Sequence, residues 1–222
     1  MISTELLQGI AGRKIHGGTI IAGTMLLARL AGIRVYLTVF GVGLAGLQLE
    51  PGLGSVGLLA EGMVLDLGGV GKGHGVALVA RVLREHGVTS ALVDGGTSSV
   101  VAIGVQPAGF AEADRPDQPF ALLTLADRAA ACSNVRGAGF WHAGEYLGHI
   151  LDPRTGWPTH GVRAAAVAAD SPVAAEVVST GLLVGGPALL EHLATRAPDV
   201  QARLVLDESD QVVSSTNWPV AS

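Results

Sequence analysis

The sequence predicts an α+β domain in which a mixed or antiparallel sheet is packed against helices. Short aliphatic or β-branched runs bounded by Gly and Pro indicate strands, while apolar residues spaced three and four apart indicate helices. Apolar residues make up 49% of the 222 residues and charged residues only 15%. This composition excludes a disordered chain, because enough apolar area can be buried to offset the entropy of ordering the backbone.

Charge and cysteine content exclude further classes. The 14 basic and 19 acidic residues give a net charge of −5, whereas a nucleic-acid-binding domain usually carries a basic face. We therefore predict no nucleic-acid partner. Cys132 is the single cysteine, so no intrachain disulfide is predicted.

No signal peptide or transmembrane segment is recognised, because the apolar stretches 19–33 and 35–49 are shorter than the roughly 20 residues of a span. The cytoplasm is the default location.

The first 46 residues are predicted to form a helix–strand segment of unclear origin. Apolar residues spaced three and four apart over 19–31 predict a helix, and β-branched and aromatic residues over 33–40 predict a strand. The Pro- and Gly-containing stretch 50–55 predicts a loop and is the best candidate boundary. We therefore assign 1–46 to an N-terminal segment and 47–222 to the main domain.

The main domain is predicted to begin with a strand at 63–67, a glycine-dense turn and a helix that ends near His86. Ser171 and Pro172 predict the start of a second helix, because serine caps helices and proline is favoured in the first turn. This helix runs to about 184, and another runs from 187 to 196. The polar, Pro-containing segment 106–119 is predicted to be a loop. Further strands are predicted at 90–93, 99–105, 120–125, 129–133, 146–151, 162–169, 203–206 and 211–214.

The glycine-rich segment 68–75 joins a strand to a helix, which is an arrangement suited to phosphate. Free N–H groups at a helix N-terminus attract anions, and glycine lets a ligand approach the backbone. Lys72 adds a cation and Asp66 a carboxylate at the strand end. The segment matches neither common pattern, because Gly73 stands where a Walker A loop has Ser or Thr, and His74 where a dinucleotide loop has Gly. It is either a phosphate-contacting loop or a tight turn that packs the helix against the sheet.

Two other segments contain candidate reactive residues. Pro and Gly within 152–156 predict a rigid turn, and His149 precedes it on a strand. The turn could instead hold an ordinary solvated Asp–Arg pair, and His149 could be a hydrogen-bonded structural histidine. Glu176 and Thr180 share a helix face, and such oxygens can ligate a hard cation such as Mg²⁺. They could equally be a carboxylate near the helix start and a threonine that bonds back to the backbone.

Taken together and in this order, these segments resemble the FAD:protein FMN transferase family. The resemblance extends from about Leu47 to Leu206. The segments that carry it are Leu65-Asp66-Leu67-Gly68-Gly69-Val70-Gly71-Lys72-Gly73, Asp94-Gly95-Gly96, Cys132-Ser133-Asn134, His149-Ile150-Leu151-Asp152-Pro153-Arg154-Thr155-Gly156 and Ala175-Glu176-Val177-Val178-Ser179-Thr180. Two departures stand out, since Glu176 replaces the family's usual Asp and Ser179 a frequent second Asp. The resemblance implies a flavin-transferase-like fold whose N-terminal part is missing here.

The resemblance also implies an activity, which is Mg²⁺-dependent transfer of FMN from FAD to a Thr or Ser hydroxyl of a target protein, with release of AMP. The implied partners are FAD as substrate and an acceptor protein that belongs to a redox complex, and a homodimer is compatible with this assignment. Members of the family are often exported. The alternative function is a non-catalytic flavin or nucleotide binder, or a structural remnant of the family. Residues 17–35 separately resemble a short stretch of pseudouridine-5′-phosphate glycosidases.

Carried over by position, the resemblance assigns roles to individual residues. Asp66 and Lys72 would contact FAD, and Leu151 would line the flavin nucleotide. His149 would be the general base or proton-transfer residue. The implied Mg²⁺ ligands are the Gly69 carbonyl, Glu176, Ser179 and Thr180.

Overall fold

The structure is a computed structural model. It describes residues 28–30, 33–35, 38–39, 47–50, 55–59, 65–96, 98–152, 154–207 and 209–219. In chain order the elements are β1 (Ala28–Leu30), β2 (Ile33–Val35), β3 (Thr38–Val39), β4 (Leu47–Glu50), β5 (Ser55–Leu58), β6 (Leu65–Asp66), α1 (Gly71–Glu85), β7 (Ala91–Asp94), β8 (Ser99–Ile103), β9 (Val105–Glu112), β10 (Arg115–Ala126), β11 (Ala129–Asn134), a 3₁₀ turn (Val135–Gly137), β12 (Gly139–His142), β13 (Glu145–Gly148), β14 (Val162–Ala169), α2 (Pro172–Arg196), β15 (Gln201–Leu206) and β16 (Val212–Ser214).

A six-stranded sheet with the order β16-β15-β14-β11-β8-β7 forms the centre of the described fold. Every neighbouring pair in it is antiparallel. One face packs against both helices, through residues such as Ala131, Val167 and Val101. The other face packs against the two-stranded β9–β10 ribbon, through residues such as Ala130 and Leu123. The α+β prediction, with an antiparallel sheet and packed helices, is therefore confirmed.

Strand β14 is enclosed along its whole length, because all of its residues are buried. Its neighbours β11 and β15 pair with it on both edges, while α2 and the ribbon cover its two faces. A strand buried on both faces is expected to be apolar throughout rather than alternating. Five of its eight residues are alanine, in the sequence Val-Arg-Ala-Ala-Ala-Val-Ala-Ala. These small side chains let the layers on either side approach closely.

The helices begin and end close to where the sequence predicts. Helix α1 buries Val76 and Ala80 against the sheet, and Gly87 follows it with φ of 81°, a conformation that glycine adopts at low cost. The Ser171 hydroxyl accepts a hydrogen bond from the Ala174 N–H at 3.2 Å, which caps α2. Gly186, with φ of 58° and ψ of −155°, interrupts α2, so the prediction of two successive helices is confirmed.

Helix α2 is long and apolar enough to span a membrane by length and composition alone. Half of its most apolar window is buried, and Leu182, Leu183 and Leu190 belong to the core beneath it. Part of its apolar surface is thus buried against the sheet.

Three sequence-based predictions differ from the structure. The predicted loop 106–119 is mostly the β9–β10 ribbon, because both strands are edges where proline costs no ladder hydrogen bond, and Pro119 lies at a register irregularity. The predicted helix 19–31 ends as strand at Ala28–Leu30, which pairs antiparallel with Ile33–Val35; the rest of it lies outside the described residues. The predicted strand 146–151 is β13 (Glu145–Gly148), so His149 follows the strand and does not lie on it. Strand β12, which was not predicted, pairs with β13.

Candidate active site

The N-terminus of α1 is capped by a side chain from α2. The α1 N-cap residue, Val70, makes no side-chain cap hydrogen bond, so the first-turn N–H groups depend on other partners. The Gly73 N–H donates to Glu176 Oε2 at 2.6 Å, across 103 residues of sequence. Glu176 is only 4% exposed. A carboxylate in this position interacts favourably with the positive end of the helix dipole, so it joins the two helices.

Lys72 supplies the counter-charge to this buried carboxylate. Its Nζ lies 2.7 Å from Glu176 Oε1, and the lysine side chain is 39% exposed while that of the glutamate is 5% exposed. The same ammonium lies 3.5 Å from the Gly68 carbonyl oxygen. Beyond the ion pair, Glu176 Oε1 accepts no hydrogen bond from the described residues. Lys72 therefore neutralises Glu176 on one side and faces solvent on the other.

Three hydroxyl groups lie next to Glu176. Ser179 Oγ and Thr180 Oγ1 donate to the Glu176 carbonyl oxygen at 2.8 and 3.3 Å. Ser133 Oγ, at the end of β11, lies 2.8 Å from Ser179 Oγ and 3.0 Å from Thr180 Oγ1. Ser179 and Thr180 are buried. Three hydroxyl oxygens thus meet where the end of β11 packs against α2.

His149 is held in one orientation by the backbone of the preceding segment. Its Nδ1 lies 2.7 Å from the Ala138 carbonyl oxygen, which can only accept, so Nδ1 carries the proton. In the neutral imidazole Nε2 is then the free base. Burial lowers the pKa of His149, and the positive charge of Lys72 lowers it further, while hydrogen bonds to backbone carbonyls oppose these effects. These surroundings therefore favour the neutral imidazole over the imidazolium.

The turn after His149 is closed by its own side chains. Arg154 donates to both carboxylate oxygens of Asp152, at 2.9, 3.1 and 2.6 Å, and these bonds lower the pKa of Asp152. Arg154 is largely exposed, so the pair contributes little stability. A cavity of about 410 Å³ adjoins the turn, and the buried Thr159 Oγ1 on its wall has no hydrogen-bond partner among the described residues.

The glycines of the site divide into two groups. A Cβ on Gly69, Gly71 or Gly75 would meet no atom of the described residues within 4 Å, so open space lies beside these positions. A Cβ on Gly73 would lie 2.6 Å from the Pro172 carbonyl oxygen and 3.0 Å from Glu176 Oε2. Packing of α1 against α2 thus requires glycine at 73, while 69 and 71 leave room for a ligand to approach.

This contrast gives a matched pair of variants. We expect Gly73→Ala to lower the free energy of unfolding by about 1–3 kcal/mol, because a backbone carbonyl must move to accept the methyl group. Gly75→Ala adds the same methyl group to the same helix in open space and should stabilise by roughly 0.5–1 kcal/mol. Urea unfolding of both variants measures the difference. Equal stability of the two would contradict a close contact at Gly73.

The donor atoms suit a hard cation in kind. Carboxylate, hydroxyl and carbonyl oxygens are the ligands that Mg²⁺ prefers, and Glu176 Oε1 has only an ammonium as its partner. Among the described residues, however, no group of three or more His, Cys, Asp or Glu side chains is arranged to hold a metal. A cation here would thus have one carboxylate, which Lys72 already contacts.

The structure brings together four of the residues named from the sequence, since Lys72, Glu176, Ser179 and Thr180 form one contact network. The other four are Gly69 in the turn before α1, Asp66 at the end of β6, His149 just after β13, and Leu151 in an isolated bridge with Pro158. The roles assigned to these residues stay predictions.

Ser133 was not assigned a role from the sequence. Its position between Cys132 and Asn134 in one of the matching segments was the only local signal, and its contacts with Ser179 and Thr180 are non-local. Only the pairing of β11 with β14, which places the strand end beside α2, reveals them.

The fold, an antiparallel sheet with two helices on one face, is shared with solved structures of proteins named ApbE. Solved structures with this fold include the ApbE protein of Thermotoga maritima, with a TM-score of 0.71 and 22% identity over 81% of this chain and 60% of that one. The flavin transferase ApbE of Vibrio cholerae gives a TM-score of 0.63 and 22% identity over 79% of this chain and 58% of that one.

Sequence comparison gives the same assignment. The ApbE family matches residues 32–204, and the chain belongs to this family. A protein of Treponema pallidum named FAD:protein FMN transferase is 27% identical over 170 residues, which are 69% of this chain and 47% of that protein. The protein of this name in Escherichia coli K12 is 26% identical over 60% of this chain and 40% of its own length. The chain thus matches less than half the length of either relative.

The family assignment confirms the resemblance to flavin transferases seen in the sequence. The matched range begins at residue 32 and so includes part of 1–46, while the division into 1–46 and 47–222 stays a prediction. The resemblance of 17–35 to pseudouridine-5′-phosphate glycosidases falls mostly outside the described residues and is not confirmed by the comparisons.

Proposed function

We propose that this chain transfers FMN from FAD to a Thr or Ser hydroxyl of an acceptor protein and releases AMP, with Mg²⁺ bound. The observation that carries the proposal is the meeting of Lys72 and Glu176 at the glycine-rich start of α1, where the backbone beside Gly69 and Gly71 is open among the described residues. Relatives named FAD:protein FMN transferase support the same reaction. The acceptor is proposed to be a subunit of a redox complex.

The residues divide the reaction between binding and proton transfer. The Lys72 ammonium and the open backbone beside Gly69 and Gly71 would receive the pyrophosphate of FAD. The acceptor hydroxyl oxygen forms a bond to the FMN phosphorus, the bond from that phosphorus to the bridging oxygen breaks, and AMP leaves with that oxygen. His149 Nε2 takes the hydroxyl proton, because Nδ1 is bound to Ala138. Positioning and charge stabilisation supply most of the rate in such transfers.

Glu176, Ser179, Thr180 and the Gly69 carbonyl would hold the Mg²⁺. Bound there, the ion would neutralise negative charge on the pyrophosphate and the leaving AMP. The second carboxylate that is frequent in the family is absent at Ser179, so we expect weaker metal binding in this chain than in relatives with two carboxylates.

The experiment that tests the proposal is transfer of FMN from FAD to an acceptor peptide with a central Thr, in Mg²⁺ and in EDTA. A covalent product with the mass of one added FMN is expected only in Mg²⁺. Flavin fluorescence on a denaturing gel gives an independent measurement. The transferase proposal would be refuted if no product forms with any of several acceptor sequences at FAD concentrations that saturate the protein.

The pH dependence of transfer follows from His149. Burial places the pKa of His149 below its ordinary value of 6.5, and a general base must be deprotonated to act. As pH falls, the rate should therefore decline at a lower pH than it would with an ordinary histidine as the base. We expect the acidic limb of kcat/KM to have its midpoint below 6.5 in the wild type and to vanish in His149→Ala. A midpoint above 6.5 would contradict the buried, neutral imidazole.

A second candidate function is binding of flavin without transfer. The observation that favours it is the pairing of Glu176 with Lys72, together with the finding that no group of three or more His, Cys, Asp or Glu side chains in the described part of the chain could hold a metal. A purified protein that is yellow or gains thermal stability with FAD, but gives no covalent product, would support this function. No response to FAD in either assay would leave a structural role.

Homodimer formation and location in the cytoplasm stay predictions. Light scattering of the purified full chain would measure the first, and cell fractionation the second.

A further inference from the structure

The Lys72–Glu176 pair places two requirements of the site in conflict. Glu176 carries the carboxylate proposed to ligate the cation, yet the Lys72 ammonium lies 2.7 Å from its Oε1. A divalent cation at a ligand distance of about 2.1 Å from it would lie within a few ångströms of the ammonium, and the like charges would repel each other. The two cannot occupy that oxygen together.

Only Lys72 is free to move. Glu176 is buried, and its other oxygen is fixed by the Gly73 N–H at 2.6 Å. The lysine side chain is long and 39% exposed, and its second contact, with the Gly68 carbonyl, is a weak one at 3.5 Å. A Cβ on Gly69 or Gly71 would meet no atom of the described residues within 4 Å, so there is open space in the glycine-rich turn next to Lys72.

We propose that Lys72 and a divalent cation exchange places on Glu176, so that cation binding releases the Lys72 ammonium to bind a phosphate group of the nucleotide. This inference rests on the proposed nucleotide-binding role of the site. Without the cation, Lys72 neutralises the buried carboxylate and is not available to an anion. With the cation, one buried carboxylate holds the metal and the freed lysine adds positive charge where the pyrophosphate would bind.

The exchange makes the binding of metal and nucleotide cooperative. Because linkage is reciprocal, a phosphate that holds Lys72 away from Glu176 must also raise the affinity for the cation. The metal-free chain is then held in a form that binds the nucleotide poorly. The Glu176 side chain reaches from α2 to both Gly73 and Lys72. Aspartate, which is shorter by one methylene, cannot make both contacts in the same geometry.

The chain is suited to a direct test, because Lys14 and Lys72 are its only lysines. Reductive methylation with ¹³C-formaldehyde gives each lysine a dimethylammonium signal and keeps its charge. In the full chain carrying Lys14→Arg, the remaining side-chain signal belongs to Lys72. We expect MgCl₂ alone, with no nucleotide, to shift and sharpen that signal as the ammonium moves into solvent. In Glu176→Asp the signal should start near the released position and stay there.

Magnesium affinity gives a second readout that needs no activity. Lys72→Gln removes the competitor and should tighten Mg²⁺ binding by roughly 5–150-fold, the usual range of such couplings. Arg81→Gln removes the same charge from an exposed position on the same helix and should change the affinity by less than about twofold, since exposed charges are screened. Calorimetry of the nucleotide-free proteins measures both.

Two results would overturn the exchange. One is a Lys72 signal that does not change as Mg²⁺ is added up to saturation, or a protein to which no Mg²⁺ binds at all. The other is equal Mg²⁺ affinity in Lys72→Gln and Arg81→Gln. FMN transfer together with an unchanged Lys72 signal would refute only the exchange, whereas a shifted signal without FMN transfer would refute only the proposed transferase reaction.

Discussion

Replacing His149 with alanine is expected to lower the rate of FMN transfer by roughly 10²–10⁴-fold, the usual contribution of a general base. The affinity for FAD should stay within a few-fold, because the imidazole contacts the Ala138 carbonyl rather than the glycine-rich turn. Single-turnover transfer to an acceptor peptide measures the rate, and quenching of flavin fluorescence measures the affinity. The loss should therefore appear in the chemical step.

The control for this variant is His192→Ala, an exposed histidine on the far half of α2, which should transfer at the wild-type rate. His149→Gln is a useful companion, because an amide can keep the hydrogen bond to Ala138 but cannot accept the proton. If His149→Gln transfers as fast as the wild type, His149 is a packing residue and the proposed base is another group.

The largest expected effect on stability comes from the buried pair of Arg163 and Glu112. Arg163 Nε lies 2.7 Å from Glu112 Oε2, and its Nη2 lies 3.1 Å from Oε1, while both side chains are less than a tenth exposed. The hydrogen bonds to Glu112 raise the pKa of Arg163. Arg163→Met leaves the Glu112 carboxylate buried with only Arg115, at 3.8 Å, as a counter-charge. We expect the free energy of unfolding to fall by about 3–5 kcal/mol.

The matched control is the exposed pair of Arg136 and Asp114, which has the same distance of 2.7 Å. Asp114→Asn should change the free energy of unfolding by no more than about 1 kcal/mol, because exposed pairs are screened by solvent. The double variant Arg163→Met with Glu112→Leu should recover most of the loss, since no charge is then left unpaired. Equal destabilisation by Arg163→Met and Asp114→Asn in urea unfolding would show that burial of the pair is unimportant.

Much of the fold could be predicted from local sequence signals. The apolar spacing and Gly87 predict α1, Ser171 and Pro172 predict the start of α2, and Pro187 predicts its interruption one residue after Gly186. These signals act over a few residues, so they need no knowledge of the tertiary structure. The prediction of a loop at 106–119 was wrong because it rested on the prolines of this segment. Its strands are instead stabilised by the packing of Phe110 and its neighbours against the sheet.

The candidate site was predictable as a set of residues but not as a set of contacts. The order of the motifs identifies Lys72, His149 and Glu176. The bond from Gly73 to Glu176 and the ion pair with Lys72 depend on the packing of α1 against α2, which no local pattern predicts. For the same reason, Ser133 becomes part of the site only when β11 pairs with β14.

The hydrogen bond from the Gly73 amide to Glu176 also bears on the order in which the chain folds. Its partners are 103 residues apart, so the first turn of α1 lacks this cap until the sheet strands between them have assembled. Helix α1 should thus acquire its N-terminal order late, together with the docking of α2. Once the chain is folded, hydrogen exchange at the Gly73 amide reports on the opening of the gap between the two helices, independently of fraying at their other ends.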